Sequence, residues 1–92
     1  MSPQHASRKA RISNDLGIHL RAAGVLVRVA EHFQSEIWVR REGMSANGKS
    51  IMSVLSLAAA KGTELLIEAE GPDAQEAVDA ITELISNRFE VK

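Results

Sequence analysis

Glu64-Leu65-Leu66-Ile67-Glu68-Ala69-Glu70-Gly71-Pro72-Asp73-Ala74-Gln75-Glu76-Ala77-Val78-Asp79-Ala80-Ile81-Thr82-Glu83-Leu84-Ile85 changes its hydrophobic period part-way along. Up to Glu70, Leu65, Ile67 and Ala69 alternate with their neighbours, as in a strand with one buried face. Beyond Pro72 the apolar residues Ala74, Ala77, Val78, Ile81, Leu84 and Ile85 recur about every 3.6 residues, which is the period of an amphipathic helix. Asp73, with Glu76 three positions on, reads as a capping box with aspartate as the cap. A half-buried strand feeding an amphipathic helix calls for a sheet with one covered face.

Upstream, the same two periods recur. Arg8 to Ser13 reads as a short strand, with Ala10 and Ile12 on one side and Lys9 and Arg11 on the other. Asn14-Asp15-Leu16-Gly17 is turn-forming. A helix is expected from about Leu20 to Phe33, with Ala23, Leu26, Val27, Ala30 and Phe33 on its apolar face. Glu36 to Arg40 alternates with Ile37 and Val39 inward and Trp38 outward. Glu42-Gly43 marks a turn, a short strand follows around Met44 to Ala46, and Asn47-Gly48 is the next turn. Ser50 is placed to cap a short helix carrying Ile51, Met52, Val54 and Leu55, and Lys61-Gly62 ends that unit. The expected order is β-α-β-β-α-β-α, an α+β open-faced sandwich in which a four-stranded antiparallel sheet is covered on one face by three helices. Residues 1–7 are expected to be a loose, polar tail and residues 8–92 a single domain.

Composition narrows the function classes. Apolar residues make up 45% of the 92-residue chain and charged residues 25%, the balance of a folded globular domain. Three aromatics among so many residues leave the core to aliphatic side chains and alanine. A net charge of −1 offers no pull toward nucleic acid or acidic membranes. The absence of cysteine excludes disulfides, thiolate catalysis and cysteine-type zinc sites, and no metal or cofactor is expected. No apolar stretch is long enough to span a bilayer or to serve as a signal peptide, so a cytoplasmic location is expected.

His19 lies where a strand and turn hand over to a helix, in Gly17-Ile18-His19-Leu20-Arg21. An imidazole there sits beside unpaired backbone amides at the positive end of the helix dipole, a place that favours anions. A neutral imidazole is a competent nucleophile near physiological pH. Were the ring phosphorylated, the Leu20 and Arg21 amides could donate to the phosphate and the Arg21 guanidinium could add a charge-assisted bond. A surface or capping histidine is the plainer reading of spacing alone. His5, in the tail, and His32, on a helix flank, lack convergent partners and are expected to be solvated.

Ser50 has two compatible roles, a helix cap and a regulatory phosphorylation site at which added charge would act on partner binding. Ile51 and Met52 are adjacent, so one helix cannot bury both against the same sheet. With Leu20 and Gly24 they could form a small apolar docking patch; core packing of Ile51 and a stray exposed Met52 is the alternative.

Taken together, Asn14 to Ala23, Asn47 to Val54, Lys61-Gly62-Thr63 and Glu70-Gly71-Pro72-Asp73-Ala74 with Glu76-Ala77 resemble HPr, the histidine phosphocarrier family of the bacterial phosphotransferase system. The matches run in order over nearly the whole chain from Arg8. The resemblance implies that His19 is phosphorylated on Nδ1 by phospho-enzyme I and passes the group to a histidine of an enzyme IIA protein, with Arg21 assisting the phosphate. It implies that Ser50 matches the serine modified by HPr kinase/phosphorylase in some bacteria. Two residues depart from the family pattern. Ala22 stands where proline usually follows the arginine, leaving one more free N–H, and Leu20 is bulkier than the usual small residue after the histidine. These departures leave open whether carbohydrate uptake or nitrogen regulation, the branch called NPr, is served. A monomer is the default expectation. Two other classes compete: an HPr-like regulatory module that binds partners without phosphotransfer, and an RNA-binding sheet of the same element order. The presence of His19 argues against the first. The second needs aromatics on its central strands, where only Trp38 stands.

Overall fold

The computed structural model describes residues 4–90, and the remaining residues of the expected tail and of the expected domain lie outside them. The chain runs β1 (Gln4–Arg11), α1 (Leu20–Ala30), β2 (Glu36–Arg41), β3 (Met44–Asn47), α2 (Ile51–Leu55), β4 (Glu64–Gly71) and α3 (Ala74–Ser86). The strands form one antiparallel sheet in the order β1-β4-β2-β3. The long-range pairing of β1 with β4 runs from Gln4↔Gly71 to Arg11↔Glu64. β1 therefore begins four residues earlier than the alternation suggested, and residues 4–7 are paired strand rather than loose tail. Ala6 is the lone apolar residue of that stretch, so local pattern could not reveal pairing whose template lies in β4.

The helices cover one face of the sheet. Leu65, Ile67 and Ala69 of β4 and Ile37 and Val39 of β2 are fully buried, beneath Leu26, Val78, Ile81 and Ile85 of the helices. Arg8, on the helix-facing side of the edge strand β1, reaches Asp79 of α3 at 3.1 Å instead of entering the core. α1 ends at Ala30, so Phe33 lies beyond the helix and packs only partly against the core. Phe89 is an aromatic member of the core, 8% exposed.

The expected capping box at α3 does not form. Asp73 is the N-cap residue, but its side chain caps no amide of its own helix. Its carboxylate accepts from the amides of Gln34 and Ser35, both at 2.9 Å, and from the Ser35 hydroxyl at 2.5 Å. Ser35 is 1% exposed, and these bonds satisfy its buried polar atoms. Gly71, at φ 149°, lets β4 pass this serine, because a Cβ there would fall 2.6 Å from its oxygen. The loop between α1 and β2 is thus tied to the start of α3, which fixes α1 over the sheet. The Ser35 hydroxyl and the two amides hold the Asp73 carboxyl below its usual range.

Candidate functional site

The path from β1 to α1 decides where His19 points. The Asn14 side chain donates to the Gly17 carbonyl at 2.8 Å, and the Gly17 amide donates back to Asn14 at 3.2 Å. Gly17 has φ +64°, and a Cβ there would sit 2.4 Å from the Ala59 carbonyl oxygen. Only glycine fits this approach to the connection between α2 and β4. Ile18 then donates its amide to the same Ala59 oxygen at 2.9 Å and turns its side chain into the core, 6% exposed. The next residue, extended at φ −92° and ψ 179°, is His19, and it is partly exposed.

His19 is the N-cap residue of α1, its carbonyl accepting from the Ala23 amide at 2.9 Å. Its ring caps nothing. Among the described residues, the amides of Leu20, Arg21 and Ala22 have no acceptor, so the first turn of α1 presents three bare donors. The first turn contains no acidic residue to offset the positive end of the helix dipole.

Two shallow hollows flank the imidazole. One runs between α1 and the end of α3, where His19, Arg21, Gly24 and Arg28 face Arg88 and Glu90 over Ala22, Val25 and Phe89. The other lies over the β1–α1 turn, between Asn14, Asp15 and Leu16 and the side chains of Lys61 and Arg88. Lys61 binds Asp15 at 2.9 Å and, by hydrogen bond and charge, holds its carboxyl below the usual carboxylate range. That pair is neutral overall. The positive field around His19 is therefore left to Arg21, Arg28 and Arg88, set against Glu90. Such a site can hold an oxyanion beside an imidazole nitrogen. Among the described residues no three His, Asp or Glu side chains gather to hold a metal.

The other candidates are placed less tightly. Leu20 is 68% exposed and Gly24 lines the first hollow. Ile51 and Met52 are both exposed, at 39% and 76%, so Ile51 does not pack as core. Neither they nor Ser50 line the two hollows. The reason is the seating of α2 on α1. Lys49 donates to the Phe33 carbonyl at 2.7 Å, which puts the start of α2 beside the far end of α1. Ser50 caps α2, its hydroxyl oxygen accepting from the Ser53 amide at 3.3 Å. His5 and His32 are not free of partners: the His5 ring lies 3.1 Å from a Glu68 oxygen, and His32 Nδ1 lies 2.8 Å from the Arg28 carbonyl.

Against this geometry, the model of the family described as the PTS HPr component phosphorylation site matches residues 6–87. The chain belongs to the HPr family. It is 46% identical over 78 residues to phosphocarrier protein HPr of Neisseria meningitidis, covering 85% of this chain and 88% of that one. It is 45% identical over 82 residues to HPr of Cupriavidus necator, covering 89% and 92%. Among solved structures, HPr-C-His of Thermoanaerobacter tengcongensis superposes with a TM-score of 0.88 at 36% identity, covering 95% of this chain and 98% of that chain. No described helix is long and apolar enough to cross a membrane.

Within an HPr frame, the two departures can be located. Ala22 is 1% exposed and lies under the first hollow, where its free amide adds to those of Leu20 and Arg21. Leu20 stands out from the surface beside His19. Leu16 is a residue that sequence reasoning passed over. It is 76% exposed and borders both hollows. An apolar residue inside a turn, next to a glycine that must be buried, was the available signal.

Proposed function

We propose that this HPr-family protein carries a phosphoryl group on Nδ1 of His19, taking it from phospho-enzyme I and giving it to a histidine of an enzyme IIA protein. The Nδ1 lone pair attacks the phosphorus of the donor's phosphohistidine in line. The P–N bond to the donor ring breaks, and its electron pair stays on the departing nitrogen. Each ring keeps the proton on its far nitrogen, so the donor leaves as neutral imidazole and His19 becomes a phosphoimidazolium. Delivery to enzyme IIA is the same step reversed.

Little covalent chemistry is asked of the protein; its work is positioning and charge stabilisation. The amides of Leu20, Arg21 and Ala22 and the Arg21 guanidinium bind the phosphate oxygens. Leu20, Gly24, Ile51 and Met52 form the docking face, and donor and acceptor use it in turn through modest, reversible interfaces. Phosphorylation of Ser50 by an HPr kinase/phosphorylase would leave α2 capped and place its charge at that face, slowing exchange with enzyme I. The protein acts in the cytoplasm as a monomer and without a cofactor.

The observation that carries this reading is the uncommitted His19 ring at the start of a helix whose first three amides are bare. The test is incubation with phosphoenolpyruvate, Mg²⁺ and a bacterial enzyme I. The wild type should gain one acid-labile, base-stable phosphate and His19→Ala none; labelling that survives in the alanine variant would reject the site.

A further inference from the structure

α3 closes in an unusual way. After Ser86 the chain places Arg88 and Phe89 consecutively at φ 58° and 62°. Residues with a Cβ rarely adopt that conformation, and strain of this kind concentrates at functional sites. Phe89 holds the turn by burying its ring and donating its amide to Leu84 at 2.8 Å, while the Arg88 amide donates to Ile85 at 3.1 Å. Phe89 thus has a packing reason to be where it is. The exposed Arg88 side chain takes no part in that packing.

Of the cations around the two hollows beside His19, Arg88 alone borders both. Among the described residues its guanidinium makes no hydrogen bond or ion pair, and Glu90, which shares the hollows, does not bind it. By contrast Lys61, the other cation of the second hollow, is taken by Asp15. After the Lys61 hydrogen bond and charge, the charge of Arg88 also acts to lower the pKa of the Asp15 carboxyl, which lines the second hollow with it.

We propose that Arg88 is a second phosphate-binding guanidinium of the His19 site, reaching the phosphoryl group from the end of α3 while Arg21 reaches it from α1. The proposal rests on the reading that His19 carries the group. Five fixed N–H donors per guanidinium suit two arginines to a group whose oxygens point in several directions.

Arg88→Gly separates charge from backbone, because glycine accepts the positive φ without strain. Arg88→Asn, which also tolerates that conformation, serves if the glycine variant folds poorly. Either variant should keep the wild-type melting temperature or exceed it, yet accept phosphate from phospho-enzyme I about five- to tenfold more slowly, the scale of one charge-assisted bond. In the wild type, the Arg88 Nε–H resonance should move on phosphorylation. A wild-type rate in both variants, or an Nε–H resonance that stays put, would overturn the role of Arg88. If His19→Ala is still unlabelled, the His19 reading survives that result. Labelling of His19→Ala would overturn both.

Discussion

α1 and α3 begin in similar ways and have opposite uses. Each starts at an N-cap residue whose side chain caps no amide of its own helix. At α3 the reason is commitment elsewhere: Asp73 spends its carboxylate on Gln34 and Ser35, across the molecule. At α1 the reason is the lack of any commitment: the His19 ring caps nothing, and the first three amides of the helix stand open. A missing cap therefore does not by itself mark a reactive site. What marks one is a side chain with spare bonding capacity beside donors that have no acceptor. The start of α3 holds the fold together, and the start of α1 is left with unused bonding capacity.

Exchanging a loss of chemistry for a loss of stability should separate the two starts. His19→Ala should abolish phosphoryl acceptance, lowering the rate by at least about a thousandfold, while changing stability by no more than ~0.5 kcal/mol, as for a surface site with no structural partner. Asp73→Ala should do the reverse. It removes three hydrogen bonds to a charged group and leaves the buried Ser35 hydroxyl proton without an acceptor, its oxygen still accepting from the amide of residue 73, a loss of roughly 2–4 kcal/mol. In a domain of this size that lowers Tm by roughly 10–20 °C, with transfer normal at temperatures where the variant is folded. A stable Asp73→Ala, measured by thermal melting, would break the contrast.

Gly17→Ala should couple the two properties. A Cβ 2.4 Å from the Ala59 carbonyl, on backbone at φ +64°, forces the turn before His19 to shift. The expected cost is about 2–3 kcal/mol, accompanied by slower phosphoryl acceptance because Ile18 and His19 move with the turn. Melting and transfer assays on the same sample check it; loss of stability without loss of rate would show that the turn does not aim the ring.

The sequence reveals these regions unequally, and for physical reasons. Alternation in β4 and the helical period of α3 are local signals, so those elements are legible residue by residue. The position of His19 and Arg21 at the start of α1 is legible too, because it follows from one turn and the helix after it, although spacing alone favours a surface or capping histidine there. The role of Asp73 is not legible. Asp73 and Glu76 spell a capping box, yet a serine hydroxyl and two amides distant in sequence outcompete the local amide for the carboxylate. The start of β1 is hidden for the same reason, since its pairing is dictated by β4. Ile51 and Met52 could be read as a pair of which one must be exposed, whereas the exposure of both depends on how α2 sits against α1. Arg88 gives no local sign, because its position depends on a chain reversal made without glycine.

Acid titration sharpens the comparison further. The Asp73 pKa is lowered in the folded state by the Ser35 hydroxyl and the two amides. Its contribution is therefore complete above the unfolded-state value of about 3.9 and is lost as pH falls through the lower folded value. The stability difference between wild type and Asp73→Asn should be constant from neutral pH down to about 4 and shrink below it. A difference that grows on acidification would reverse the sign and reject the assignment. The smallest effect is expected at α2. Ser50→Ala should cost about 1 kcal/mol for the lost cap and leave transfer intact, while Ser50→Asp should fold normally yet accept phosphate from enzyme I more slowly. Equal rates for Ser50→Asp and wild type would reject regulation by charge at that position.

The most direct test follows the amide resonances of Leu20, Arg21 and Ala22 as His19 is phosphorylated. All three should shift downfield by amounts well beyond those elsewhere in α1, because phosphate oxygens fill the acceptor positions left open at the helix start. Phosphorylation at His19 with those three resonances unmoved would contradict the claim that bare donors at this turn make it the phosphate site.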